Sequence, residues 1–369
     1  PKPRWRAGLA AMLMVLHSTL APAQMGGASP ALPALGDGVD LSIASERRLG
    51  DRIARSIYRD PDWIDDAVLG DYLLAIWQPL VQAARQRGDL SAELQEGFAW
   101  ELFVVRDRSV NAFALPGAYM GVHTGLIATV SSPDELAAVM GHELSHVTQR
   151  HIARMFTQQQ NQTPWLVAAM ILGVLAAARS TNAANAALVG GQAVAMQGQL
   201  NFSRDMEREA DRVGFGVMTE AGFSAEGASA MFEKLQQANR FNDNGSFPYL
   251  RSHPLTTERI AEARTRSQTQ GTPVPRASSL PSAAWHAMMA GRSRVLSETG
   301  PDAMLAQLRQ ARQLPQTATR EQSLSVLYGA ALAAARLGEP AEAREQVNRV
   351  MALAGGGPQI GQLARLLAI

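Results

Sequence analysis

Apolar residues recur at helical spacing through most of this chain, and a strand-like pattern appears in one short region. Leu136, Met140, Leu144 and Val147 fall on one side of a segment that opens with Ser132-Pro133-Asp134-Glu135. A serine cap, a proline at the first helical position and a glutamate closing a capping box predict a helix start. Ser45–Tyr58 and Ile64–Arg87 carry the same period and predict two amphipathic helices. Leu102-Phe103-Val104-Val105 reads as a short buried strand. Asn111–Leu115 and Tyr119–Thr124, parted by Pro116-Gly117, read as two strands and a turn. A helix follows from Ser203, ended by Gly222 as a C′ residue, then another over Ser224–Asn239. A turn-rich loop, Phe241–Ser246, leads to a helix capped near Thr256 or Thr257. Pro301–Gln313, Ser323–Leu337 and Ala341–Ala354 predict further helices. The class is α+β: mostly helical, with a small antiparallel sheet and an α-helical C-terminal module.

Two stretches depart from this pattern. Lys2, Arg4 and Arg6 precede a short apolar run, Ala7 to Leu16, and Ala21-Pro22-Ala23 is an Ala-x-Ala cleavage site. Residues 1–23 therefore read as a signal peptide, the run being too short for the ~20 residues that span a bilayer. Residues 24–40, rich in Gly, Ala, Pro and Ser, read as a flexible lead-in. The second stretch is 157–200. Trp165 to Ala178 is 14 uncharged, mostly apolar residues, again short of a span. A buried helix, a lid over a cleft and a loop dipping into a membrane surface all fit it. The first folded part runs over 41–270. A proline-bearing linker covers 271–282 and the helical module 283–369. In that module small residues recur around Leu337-Gly338 and resemble a tetratricopeptide unit.

Composition is globular, with 46% hydrophobic and 18% charged residues, which excludes a disordered chain. There is no cysteine, so disulfides, thiolate metal ligands and thiol nucleophiles are excluded. Without residues 1–23 the formal net charge falls from +1 by three, and no basic tract remains to bind nucleic acid.

The candidate chemistry lies on the Ser132 helix. His142-Glu143-Leu144-Ser145-His146 places two imidazoles one above the other on one face. Glu143 sits about 100° around the helix, beside their common target. Two neutral nitrogens suit Zn²⁺, and a neighbouring carboxylate can take a proton from an activated water. A catalytic zinc wants a third protein ligand. Glu207 can supply it, and Asp211, four residues on, can accept the second ring N–H of a ligand histidine. The alternative is a solvated acidic face paired with Arg204, Arg208 and Arg212, which is the reading given to Glu209. His123 reads as a hydrogen-bonded structural residue. His151, nine residues beyond His142, is expected to face away from the metal. His253 precedes Pro254 and is biased to extended backbone. It can hydrogen-bond the oxyanion of a tetrahedral intermediate, or occupy the open zinc position in a closed state.

These residues resemble the M48 family of zinc metallopeptidases, and within it the periplasmic protease-chaperones that carry C-terminal tetratricopeptide repeats. Asn111-Ala112-Phe113-Ala114-Leu115-Pro116-Gly117, Val122-His123-Thr124-Gly125-Leu126 and Ser252-His253-Pro254-Leu255 agree with it. The resemblance implies a zincin-type fold and one zinc per chain, held by His142, His146 and Glu207, with Glu143 and His253 in catalysis. It implies a strand edge near Asn111–Leu115 along the cleft, offering strand addition to an extended peptide. It also implies work in the periplasm, in contact with the outer membrane. The substrates and partners would be misassembled outer-membrane proteins and their assembly machinery, with 157–200 touching the membrane peripherally. Two rivals stand beside this reading: a chaperone or scaffold with latent proteolysis, and an integral-membrane prenyl-type protease.

Overall fold

The computed structural model describes residues 41–158, 204–240, 247–269, 276–298 and 300–354. The expectations for the leader, the lead-in and the 165–178 run lie outside them. α1 (Ile43–Ile57) starts where the Ser42 hydroxyl accepts from the Ser45 N–H at 3.2 Å. The helix expected from Ile64 begins three residues later. Trp63–Ile64 instead pairs with Val105 and Val104 as strand β1, and Asp66 caps α2 (Ala67–Gln86) by accepting from the Leu69 N–H. α3 (Ala92–Gly97) precedes β2 (Glu101–Val105), β3 (Ala112–Leu115) and β4 (Tyr119–His123).

The sheet has the order β1-β2-β4-β3 and is mixed, not antiparallel as expected. β2 and β4 run parallel, while β1–β2 and β3–β4 are antiparallel. Burial decides which arm of the hairpin goes inside. All five β4 residues are buried, whereas Phe113 and Ala114 of β3 are only partly covered. β4 therefore takes the central place beside β2, and β3 is left at the edge. A parallel pair needs both faces covered. One face packs Phe103, Leu115 and Tyr119 against Leu49 and Ile53 of α1. The other joins the main core with α2 and α5 (Pro133–Thr148), which α4 (Thr124–Thr129) precedes.

After α5 come α6 (His151–Gln158), α7 (Arg204–Glu220), α8 (Glu226–Arg240), α9 (Tyr249–Ser252) and α10 (Thr257–Thr269). Gly222 closes α7 with φ +87, as its sequence position predicts. α5 and α7 cross where Gly141 meets Gly214. A Cβ added at Gly214 would lie 2.9 Å from the Gly141 backbone, so the two helices touch main chain to main chain.

The C-terminal helices are α11 (Ala283–Leu296), α12 (Pro301–Arg312), α13 (Arg320–Leu337) and α14 (Pro340–Ala354). α13 and α14 form a hairpin around Gly338, whose φ is +76. The tightest approach is between α11 and α13: a Cβ on Gly291 would lie 2.1 Å from the Ser325 carbonyl oxygen. Among the described residues no helix is long and apolar enough to cross a membrane.

His286 ties α11 to the peptidase core. The Tyr72 hydroxyl donates to its Nδ1 at 2.6 Å, and its Nε2–H donates to the Val130 carbonyl at 2.9 Å. Burial holds its pKa down at about 4, against an ordinary 6.5. The unfolded chain therefore takes up a proton that the folded one refuses between those values. Stability is greatest above pH 6.5 and falls as pH drops through this window, by about 3 kcal/mol in all. Urea unfolding at pH 7.5 and 4.5 measures it. His286→Gln keeps a donor toward Val130 and is expected to remove most of that acid-side loss.

Candidate metal centre

The Ser132 hydroxyl accepts from the Glu135 N–H at 3.2 Å and fixes the start of α5. Glu135 Oε2 reaches back to the N–H of Ser131, one residue before the cap, so the expected box closes one position early. Leu136, Met140, Leu144 and Val147 bury their side of α5, which turns His142 and His146 toward α7. Their Nε2 atoms are 3.0 Å apart. The helix crossing at Gly214 brings Glu207 to them, with Oε2 at 3.4 Å from His142 Nε2 and Oε1 at 3.4 Å from His146 Nε2. His253 follows α9 with φ −123 and ψ 78, outside the helical region as a residue before proline should be, but short of the fully extended backbone expected of it. The Tyr249 ring stacks on it at 4.5 Å. Its Nδ1 is 3.0 Å from Glu207 Oε1 and 3.3 Å from His142 Nε2. His142, His146, Glu207 and His253 are all buried, and one ligand atom from each falls within 4.8 Å of the others.

Glu143 lies beside this group. Its Oε2 accepts from the Ala114 N–H of edge strand β3 at 3.0 Å, and its Oε1 is 3.3 Å from His253 Nε2. Burial raises the Glu143 pKa, against the lowering influence of His253 and His142. Glu207 goes the other way. Burial favours its acid form, but His253 and the nearby imidazoles of His142 and His146 outweigh this and hold it well below the usual carboxylate range. Burial likewise opposes charge on His142, yet its bonds to Asp211 and Glu207 push its pKa up to about 10. Burial holds His146 well below its ordinary value.

The donor set fits a divalent cation on three counts. Tetrahedral zinc with Zn–N near 2.0–2.1 Å sets its ligand atoms about 3.3–3.4 Å apart. The two 3.4 Å separations to Glu207 match this spacing, and the 3.0 Å between the imidazoles is slightly tighter. Glu143 Oε1 and Glu207 Oε2 are buried with no hydrogen bond, the latter lying 2.8 Å from Arg259 Nη1 without hydrogen-bond geometry. The buried carboxyls of Glu207 and Asp211 share one buried guanidinium, Arg259, and the Glu143 carboxyl is buried as well. A divalent ion bound here would take the place of the proton that Asp211 and Glu207 hold on His142 and would offset the carboxylate charge.

The Peptidase family M48 model matches residues 78–267, just over half of the chain. The chain belongs to peptidase family M48. It is 33% identical over 238 residues to the Beta-barrel assembly-enhancing protease of Escherichia coli K12, covering 64% of this chain and 47% of that protein. It is 30% identical over 351 residues to the protein of the same name from Yersinia pestis, covering 94% and 68%. A mitochondrial metalloendopeptidase OMA1 of Arabidopsis thaliana is 32% identical over 165 residues, 44% of this chain and 31% of that protein. The match spans about half the length of the E. coli relative.

In this M48 chain the tertiary structure brings in three residues that spacing did not select. Arg259 of α10 donates from Nε and Nη2 to both oxygens of Asp211, at 2.6 and 2.8 Å, and from Nη1 to the Pro254 carbonyl. Burial favours the acid form of Asp211, but Arg259 and His142 outweigh it and hold its pKa near 2. Asp211 Oδ1 in turn lies 2.9 Å from His142 Nδ1, the contact expected of it. His151 does not face away. Helix α5 stops at Thr148 and Arg150 takes φ +51, so the helical count that would carry His151 past the site is broken. The chain turns back and His151 Nδ1 meets His146 Nδ1 at 2.8 Å. Glu209, expected to be a solvated charge, accepts from His151 Nε2 at 3.0 Å and from Arg154 at 2.7 Å. His123 is the hydrogen-bonded structural residue expected, 3.0 Å from the Ser109 hydroxyl.

Proposed function

We propose that this chain is a zinc-dependent endopeptidase of the periplasm that cleaves misfolded or misassembled outer-membrane proteins. One observation carries the reading: a buried His142–His146–Glu207 group, with Glu143 between it and the edge strand β3 of the sheet. Those three side chains would hold the zinc, with Asp211 orienting His142. When bound, zinc supplies a Lewis acid that polarises the scissile carbonyl and acidifies water.

Glu143 is placed to accept the proton of the attacking water and return it to the leaving amine. Its burial supports this, because a raised carboxyl pKa brings proton uptake and release closer to neutrality. The substrate would add to β3 as an extended strand. The Asn111 carbonyl accepts from the His123 N–H, so by antiparallel alternation Ala112 and Ala114 turn their main-chain groups away from β4, where the Ala114 N–H meets Glu143 and the others would pair with substrate. Main-chain pairing of this kind is tolerant of sequence and suits an unpaired strand of an unfinished β-barrel. An apolar recess beside His142, lined by Val139, Phe215, Met218 and Phe232, would seat an apolar substrate side chain. The names of the E. coli and Y. pestis relatives support the substrate class. The C-terminal helices, which we take as tetratricopeptide-like, would dock the partner proteins.

A second reading has its own observation. His253 stands among the metal-binding groups, where it would take the position a substrate or water needs. This geometry favours the closed-state role for His253 over an oxyanion contact, and with it a protein whose proteolysis is latent and whose steady work is chaperoning. Metal analysis with a casein digest tests both. The protease reading expects one zinc per chain and casein cleavage that a chelator abolishes. Full zinc with activity appearing only in His253→Ala would support the latent form, and protein without zinc would sink both.

A further inference from the structure

The two histidines of α5 are oriented by different kinds of partner. His142 meets a carboxylate, Asp211, directly. His146 meets a second imidazole, and only behind that a carboxylate. We infer that His151 and Glu209 form a proton relay that fixes the tautomer of His146 and makes it a ligand. The inference rests on the metal-site reading above and extends it to residues outside the ligand set.

The proton positions follow from the acceptors. Glu209 Oε2 lies 3.0 Å from His151 Nε2, so that nitrogen carries the hydrogen. Arg154 pairs with the same oxygen at 2.7 Å and keeps the carboxylate in place. The His151 side chain is fully buried, with Nε2 toward Glu209 and Nδ1 toward His146. A neutral imidazole has one N–H, so His151 Nδ1 is an acceptor. It faces His146 Nδ1 at 2.8 Å, and one proton must lie between them. That proton belongs to His146 Nδ1. The remaining lone pair of His146 is then on Nε2, 3.4 Å from Glu207 Oε1 and aimed into the centre. Had His151 carried its hydrogen on Nδ1, His146 would have had to place its own on Nε2, where it would block the metal. Glu209 and His151 are thus positioning residues, and the left-handed Arg150 turns His151 into place.

Partners of this kind change metal affinity by about 10- to 100-fold when removed. The test measures zinc affinity by chelator competition in wild type, His151→Asn, His151→Leu and Glu209→Ala. Asparagine places an amide oxygen where Nδ1 was and can accept from His146, so affinity within about threefold of wild type is expected. Leucine cannot accept, and a loss of roughly 10- to 100-fold is expected. In Glu209→Ala, whose side chain is partly exposed and whose removal leaves the core intact, His151 can take either tautomer and a loss of about tenfold is expected. A purely structural role for His151 would lower affinity equally in the asparagine and leucine variants. Unchanged affinity in Glu209→Ala would overturn the relay even if His151→Leu failed to fold. Nitrogen-15 NMR of zinc-loaded wild type gives a direct check: His151 should be the Nε2–H tautomer, and Nδ1–H would refute the scheme. Wild-type protein that binds no zinc would instead refute the metal-site reading itself.

Discussion

Replacing Glu143 by glutamine is expected to lower casein hydrolysis by about 10²- to 10⁴-fold, the range for loss of a positioned acid–base group. Zinc content should stay at one per chain. Glutamine is nearly isosteric, and its amide oxygen can still accept from the Ala114 N–H that Glu143 Oε2 meets at 3.0 Å. The edge strand should therefore keep its place. What disappears is the capacity to take up and release a proton at Oε1, which is buried, lacks a hydrogen bond and lies 3.3 Å from His253 Nε2. Assay and metal analysis on the same preparation separate the outcomes. Loss of zinc along with activity would mean that Glu143 holds the centre together and would remove it from proton transfer.

The second large effect concerns Arg259. Arg259→Met keeps most of the volume and deletes the one buried guanidinium that faces Asp211 and Glu207. Breaking a buried pair by removing one partner costs about 3–5 kcal/mol, because the other charge stays behind. Chelator-treated protein should show the full loss in urea unfolding, since no metal then offsets the carboxyl charge. Zinc-saturated protein should show less, because the metal compensates Glu207. Adding Asp211→Asn to Arg259→Met should recover part of the loss by taking the stranded charge away. Equal stability of Arg259→Met and wild type without metal would show that the pair contributes nothing.

Both effects involve residues of unequal legibility in the sequence. Glu143 belongs to a five-residue motif whose geometry is set by one helix. The fixed rise and turn of α5 bring His142 and His146 to one point and put Glu143 beside it. Glu207 and Asp211 were readable by the same four-residue rule on α7. Arg259 carried no such sign: it lies on another helix, 48 residues from its partner Asp211. His151 was misread for a definite reason. Counting turns from His142 assumes an unbroken helix, and α5 breaks at Gln149–Arg150.

The sheet divides along the same line. Strand positions were readable from Leu102 to Val105 and on either side of Pro116-Gly117, because alternation and turn residues are local features. The pairing was not. That β4 and not β3 lies beside β2, parallel to it, depends on which arm of the hairpin is buried between α1 and the α5 layer. That choice also puts β3 on the outside, where its Ala114 N–H reaches Glu143. By itself, then, the chain determined most of its long helices and the in-helix spacing of the groups able to hold a metal, since these follow from contacts within a few residues. Only the tertiary structure decided the mixed sheet, the place of His253 among the histidines, and the outer partners Arg259, His151 and Glu209. These rest on main-chain contact between Gly141 and Gly214 and on burial shared by distant segments, and no local period encodes either.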